Sequence, residues 1–552
     1  ADCELNAGVL DCALDSIANG ASKSVAIPAS SSTEGGYSVS FSVSTAQKDE
    51  TLTNNSGAVS VVIGKIVPDE EAPEIASIAL SPASIVEEGK SVKVTVVASD
   101  NKGVKSGSVS NVAGGKLCTL ASKSEVGTVS TLECTFTAPD VDADTVLAVE
   151  ATVADAAGNE AVSDLVQITV TKGDDFVSPE GTGKIKRITN FGDNPAHHEM
   201  YYYVPEGLKR GAPVVMALHG CNQDFEGTLP YGDSMYDTSQ SSAGLKDALQ
   251  FAYDSEWHVL ADTHKFIVIY PQQADENTSG KYGNPYRCFN WSGYYGNNVY
   301  RGEGGNKSLM EMIDYVKENY DVNDDKVYVT GLSAGGAMAT LMAATYPDVF
   351  AGASSMAGVA YHCALNSGAG QVAADNSFAC MGVNDDATFS SRCMASQTAC
   401  MDENMKKTPK QWGDLVREKG LKGYAGDYPK MIIWQGDQDQ YVDPDQLTET
   451  AEQWVNVHDA AVTDINSVAV KGNVIKDGAT HTYTEFVIDG EVKVATVELP
   501  GMSHGITVDP DNTGVDGGGN GKNHGGAFNA SWSMDRGIYS SYYTAKFWGL
   551  ID

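Results

Sequence analysis

Two stretches of the chain fit G-x-S-x-G: "GLSAG" at 331–335 and "GMSHG" at 501–505. That spacing serves a serine nucleophile that attacks a carbonyl, but a chain with 57 glycines also produces it by accident. The context decides between them. In "DKVYVTGLSAGGAMATLMAATYP" an apolar, β-branched strand runs into Gly331, and an Ala/Met/Leu helix starts straight after Ser333. A nucleophile elbow needs that strand–turn–helix, because its serine holds a strained backbone that only small neighbours at ±2 can accommodate. Gly331 and Gly335 meet this need, and the helix N-terminus favours a developing oxyanion. "GMSHG" follows the strand "VATVELP", but "ITVDPDN" after it cannot begin a helix. Ser333 is therefore the nucleophile, and Ser503 has no elbow.

A serine hydrolase of this topology orders its triad Ser, acid, His along the chain. Of the late histidines, His458 ends a helical pattern and His481 sits in polar "ATHTYT", so both read as surface residues. His524, in "GKNHGG", is a reserve candidate. His504 lies just after a strand in a glycine-flanked loop and is the expected general base. The acid should follow the strand "KMIIWQG", where the loop offers Asp437, Asp439 and Asp443. Asp439 is favoured, since the loop must turn back before presenting a carboxylate that orients the imidazole. The oxyanion needs two backbone N–H donors. Ala334 supplies the first, and Cys221, after the strand end "VVMALHGC", the second. His219 then braces that loop.

These residues need a frame. From about residue 185, buried-strand runs ("PVVMALHG", "FIVIYPQQ", "KVYVTGL", "KMIIWQG") alternate with helical patterns ("KSLMEMIDYVKENY", "AMATLMAATYP", "TPKQWGDLVREKG", "DQLTETAEQWVNVH"). The alternation predicts a mostly parallel sheet with helices on both faces and catalysis at the carboxyl ends of the strands. Residues 362–408, rich in Gly, Ser, Asp and cysteine, break the pattern and read as a cap or lid. Residues 1–172 show short alternating runs such as "YSVSFSVST" and "KSVKVTVVAS" between turn residues, which argues for antiparallel β-sandwiches. Residues 1–68 form a partial module and 73–172 a second one. A linker over 173–184 then leads to the catalytic domain at 185–552. The second module's close, "VEATVADAAGNEAVSDLVQITV", resembles bacterial immunoglobulin-like repeats.

A formal net charge of −36 with no basic cluster excludes nucleic acid as a partner. No apolar run approaches the ~20 residues of a membrane helix, so no membrane contact is expected. Ten cysteines recurring in local pairs point to disulfides and an oxidising, extracellular setting. The glycine-rich "DPDNTGVDGGGNGKNHGG" raises calcium, but its spacing matches no ligand repeat, and no metal is expected.

With these pieces assembled, the region from about 185 to 552 resembles the polyhydroxybutyrate depolymerase family of α/β-hydrolase esterases, whose relatives include feruloyl and acetylxylan esterases. The resemblance is carried by "ALHGCNQ", "FIVIYPQQ…RCFNW", "KVYVTGLSAGGAMATLMAATYPDVFAG", "GDQDQYVDP" and "GMSHG". The ending "GIYSSYYTAKFWGL" looks like that of secreted depolymerases of short-chain polyhydroxyalkanoates. It implies Ser333, Asp439 and His504 as triad, Cys221 and Ala334 as oxyanion donors, and Trp291 at the substrate cleft. It also implies a Cys221–Cys288 disulfide. Pairing among Cys363, Cys380, Cys393 and Cys400 stays open. The implied activity is serine esterase chemistry on an insoluble polyester or polysaccharide ester, by a secreted monomer without cofactor. The alternatives are a feruloyl or acetylxylan esterase, an esterase also acting on aromatic polyesters, and an adhesive matrix-binding protein with secondary esterase activity.

Overall fold

A computed structural model describes residues 69–173, 181–223, 247–273, 286–293, 299–364, 379–382, 405–472, 475, 481–510, 524–528 and 532–551, together with four strands before residue 64. The chain divides into two compact units, Ala1–Glu70 and Glu71–Asp552. In the first, Asp2–Asn6 pairs antiparallel with Val9–Ala13, setting Cys3 opposite Cys12. Gly35–Ser42 pairs with Ser56–Ile63 in the same sense.

The second unit opens with a nine-stranded sheet folded over its own core, from Glu74–Ser81 to Val166–Thr171. All its pairings are antiparallel except that of Ile85–Glu87 with Val166–Thr171. Period-two alternation explains the folding. In Ser91–Ser99, Val92, Val94, Val96 and Ala98 point inward and are fully buried, and they meet Val149, Ala151 and Val153 of Thr145–Asp155. A Cys118–Cys134 disulfide joins two neighbouring strands.

The catalytic region is a ten-stranded mixed sheet. In chain order its strands are β1 (Ile185–Ile188), β2 (Glu199–Tyr203), β3 (Ala212–Leu218), β4 (Ile267–Gln272), β5 (Val322–Leu332), β6 (Gly352–Met356), β7 (Lys430–Gly436), β8 (Ala469–Lys471), β9 (Thr482–Ile488) and β10 (Glu491–Leu499). Their spatial order is β1-β2-β4-β3-β5-β6-β7-β10-β9-β8. The inner strands from β4 to β10 run parallel, and β1, β2, β8 and β9 are antiparallel additions at the edges. The helices are α1 (Asp247–Ser255), α2 (Trp257–His264), α3 (Gly304–Asn319), α4 (Ala334–Thr345), α5 (Pro409–Lys419), α6 (Gln446–His458) and α7 (Ser540–Trp548).

Central strands are apolar at consecutive positions because both faces are covered. Val214, Met216 and Leu218 of β3 pack under α3, α4 and α6, while Val215 and Ala217 pack under α1, α2 and α7. This is the mostly parallel sheet with helices on both faces expected from the alternation. Of the cap expected over 362–408, residues 365–378 and 383–404 lie outside the described residues, as do Cys393 and Cys400. A Cys363–Cys380 disulfide accounts for the other two cysteines of that group.

The sandwich packs directly on the catalytic domain. Arg210, just before β3, pairs with Glu88 at 3.2 Å, Glu87 at 3.3 Å and Asp321 at 3.2 Å. Ser91 bonds Asn323 at 3.2 Å, and Lys326 donates to Thr137 at 2.9 Å. Gly89 and Gly211 touch backbone to backbone: a Cβ on Gly211 would stand 2.1 Å from the Gly89 carbonyl oxygen. Both glycines hold positive φ, 80° and 62°, so a larger residue is excluded there twice over.

Candidate active site

The site is built at the carboxyl ends of neighbouring strands. Ser333 follows β5 and precedes α4, with φ 58° and ψ −120°, a conformation costly for any residue but glycine. Its amide donates to Met356 O at 2.8 Å. The turn closes only because its flanks lack side chains. A Cβ on Gly331 would lie 2.4 Å from Gly335 backbone, and one on Gly335 would lie 2.3 Å from Leu218 O. Ala334 opens α4, so its N–H has no acceptor within the helix.

The loop after β3 lies against the serine, since a Cβ on Gly220 would sit 3.2 Å from Ser333 Cβ. Cys221 is disulfide-bonded to Cys288. On either side of it, Gly220 N–H donates to Gln223 Oε1 and Asn222 N–H to Tyr286 O. His219 is fully buried, and its Nε2 accepts from Gln273 N–H at 3.0 Å. Its proton must then sit on Nδ1, 2.6 Å from Gly220 O, which makes the ring a brace for this loop. Trp291, three residues beyond Cys288, packs against the cluster holding Ala337 of α4 and Val442.

Asp439 follows β7 and His504 follows β10. His504 Nδ1 donates to Asp439 Oδ2 at 2.8 Å, with both side chains buried. Gln435 Nε2 donates to the same oxygen at 2.9 Å, while the amides of Tyr441 and Val442 each donate to Oδ1 at 2.9 Å. The proton is thereby fixed on Nδ1, leaving Nε2 with its lone pair. The neighbouring acids have other work. Asp437 accepts from Gly501 N–H at 2.6 Å, and the amide of Gln438 donates to Met502 O at 3.0 Å, stitching the acid and histidine loops together. Asp443 accepts from Asp445 N–H at 2.9 Å in the turn before α6.

The other candidates are placed elsewhere. Ser503 donates to the Met534 sulfur at 3.6 Å. His458 is half-buried, not a surface residue, and bonds Pro429 O at 3.1 Å; burial depresses it to about 3. The reserve histidine, His524, has its own carboxylate, Asp509, at 2.8 Å.

Sequence reasoning missed the aromatic surroundings of His504. The Tyr441 ring lies 5.2 Å from it, tilted, and Trp532 stands edge-on at 6.2 Å. Tyr441 is 42% exposed. Its place in "DQDQYVD", two residues past the acid, was the one available signal.

A family model described as "Esterase PHB depolymerase" matches residues 240–385. Poly(3-hydroxyalkanoate) depolymerase C of Paucimonas lemoignei is 36% identical over 378 residues, which is 68% of this chain and 72% of that protein. Feruloyl esterase B of Talaromyces funiculosus is 28% identical over 59% of this chain and 74% of its own length. A probable acetylxylan esterase A of Aspergillus flavus is 31% identical over 50% of this chain and 71% of its own. Among solved structures, the acetyl xylan esterase from Aspergillus awamori matches with a TM-score of 0.41 at 24% identity, covering 58% of this chain and 94% of that one. The chain is a carboxylic ester hydrolase and belongs to the polyhydroxybutyrate depolymerase family of esterases.

Proposed function

We propose that the chain is a secreted depolymerase of short-chain polyhydroxyalkanoates, acting as a monomer on insoluble polyester, with Ser333, His504 and Asp439 as its triad. The observation that carries the triad is the buried His504–Asp439 bond at 2.8 Å, at the same sheet end as the strained Ser333. His504 Nε2 takes the Ser333 hydroxyl proton as Oγ attacks the ester carbonyl. The oxyanion is held by the N–H groups of Ala334 and Cys221, each donor contributing roughly 10²–10³ in rate. His504 returns the proton to the departing alcohol, and water then hydrolyses the acyl-enzyme by the reverse sequence. Trp291, Tyr441 and Trp532 supply apolar walls for an aliphatic acyl chain.

Secretion fits the Cys118–Cys134, Cys221–Cys288 and Cys363–Cys380 disulfides. No helix among the described residues is long and apolar enough to cross a membrane. The nine-stranded sheet at 74–171 supports an immunoglobulin-like module that acts as a spacer. The second reading, feruloyl or acetylxylan ester hydrolysis, is favoured by the fungal relatives. A panel of polyhydroxybutyrate film, methyl ferulate and acetylxylan separates them. Soluble hydroxy acid released from the film is expected, while turnover of the plant esters with an untouched film would replace the first reading by the second.

A further inference from the structure

One end of the sandwich gathers buried carboxylates that ester hydrolysis does not use. Asp100 directly follows the strand Ser91–Ser99, and Asp155 closes the strand Thr145–Asp155. They are 6% and 4% exposed, and carboxylate oxygens of the two lie within 4.8 Å of one another. Glu71 is held over the same two loops. Its side chain accepts from Asn101 Nδ2 at 2.6 Å, and its carbonyl from Asn159 Nδ2 at 3.2 Å.

The two buried acids differ in how they are satisfied. Asp155 Oδ1 accepts from the amides of Gly158 at 2.7 Å and Asn159 at 2.9 Å, and Oδ2 accepts from Asn159 Nδ2 at 2.7 Å. Asp100 Oδ1 takes the Lys102 amide at 2.8 Å, whereas Oδ2 is buried with no hydrogen-bond partner. Among the described residues neither acid is in an ion pair. Two buried like charges this close, one with a bare oxygen, are strongly unfavourable without a compensating cation.

We infer that this end of the sandwich is a calcium site, in which Asp100 Oδ2 and Asp155 contribute carboxylate oxygens beside the Glu71 backbone. An all-oxygen set of carboxylates beside a backbone carbonyl suits calcium, which takes 6–8 oxygens in irregular geometry and completes its shell with water. The ion is structural: it cancels the repulsion between strand ends that the β-pairing forces together, and it serves the sandwich rather than the catalytic centre. The spacing carried no hint of it, since Asp100 and Asp155 belong to different strands and match no contiguous ligand motif.

The test uses the full chain, stripped with EDTA and titrated with calcium chloride by calorimetry, beside Asp100→Asn. The wild type should bind one more equivalent of calcium than the variant. At a free concentration of about 100 times Kd, calcium should raise the folding equilibrium constant of the sandwich about a hundredfold, seen as a higher unfolding midpoint. Asp100→Asn should lose that increment, yet be at least as stable as the wild type in EDTA, because it removes the like-charge contact. Retained hydrolysis of a soluble ester verifies that the variant is folded. Equal stoichiometry in the two proteins, or a sandwich transition that calcium does not move, would overturn the assignment.

Discussion

Asp439 accepts from His504, Gln435 and two loop amides, so neither carboxylate oxygen can swing away from the imidazole. In the proposed triad, the charge that develops on His504 during attack is met by a partner already in position. Ser333→Ala should lower kcat on a soluble p-nitrophenyl ester by several orders of magnitude, as loss of a triad member does. Ser503→Ala, which breaks only a contact to the Met534 sulfur, should stay within a few-fold of wild type. Purified variants checked for folding by circular dichroism decide this, and a dead Ser503 variant would reverse the assignment. The strand–turn–helix at Ser333 was legible in the sequence because an elbow is local: strand, glycine and helix lie within a few residues. The His504–Asp439 pairing could be anticipated because both residues follow neighbouring parallel strands. Tyr441 and Trp532 were not legible as neighbours of His504, since their ring contacts are set by loop packing rather than by any period.

At the scale of elements, β7 and β10 are fastened at their starts by a charge cluster. Glu491 pairs with Lys430 at 2.7 Å and Lys493 at 2.5 Å. Burial opposes its ionisation, yet the two ammonium groups hold its carboxyl at about 2. A pKa depressed on folding gives stability that is full above the ordinary value of 4.5 and is lost as pH falls towards 2. Glu491→Gln should therefore be less stable at pH 7 by about 1–2 kcal/mol, since solvent screens a side chain that is one-third exposed. The difference from wild type should shrink between pH 4.5 and 2, as read by denaturant unfolding at each pH; a gap that stays constant would refute it. Strands β3, β4, β5, β7 and β10 and helices α3 to α6 could be read from alternation and periodicity. The pair α1 and α2 escaped it, because the helical run is broken at Glu256, which holds φ 47°. Their apolar residues therefore form no single continuous stripe.

At the scale of the molecule, the sequence suggested a module joined to the rest by a linker over 173–184, and the sandwich also packs directly on the region that follows it. The reason is invisible locally: Arg210 is 11% exposed and neutralises Glu88, which lies more than a hundred positions earlier and is itself buried. Arg210→Ala leaves that carboxylate unpaired, and breaking a buried pair costs about 3–5 kcal/mol. Calorimetry should show the variant's unfolding midpoint lowered, with the sandwich transition separating from that of the catalytic domain. Hydrolysis of a soluble ester at 25 °C should be unchanged, because no triad residue is touched. A single unshifted transition would refute the coupling. The site of this contact has a geometric consequence. Arg210, Asp321 and Asn323 sit where β3 and β5 begin, whereas Ser333 lies where β5 ends, and the length of β3, which pairs with β5 from Ala212 to Leu218, separates the two faces by roughly 20 Å. The sandwich stands under the enzyme like a pedestal. A flat solid can meet the catalytic mouth without striking it.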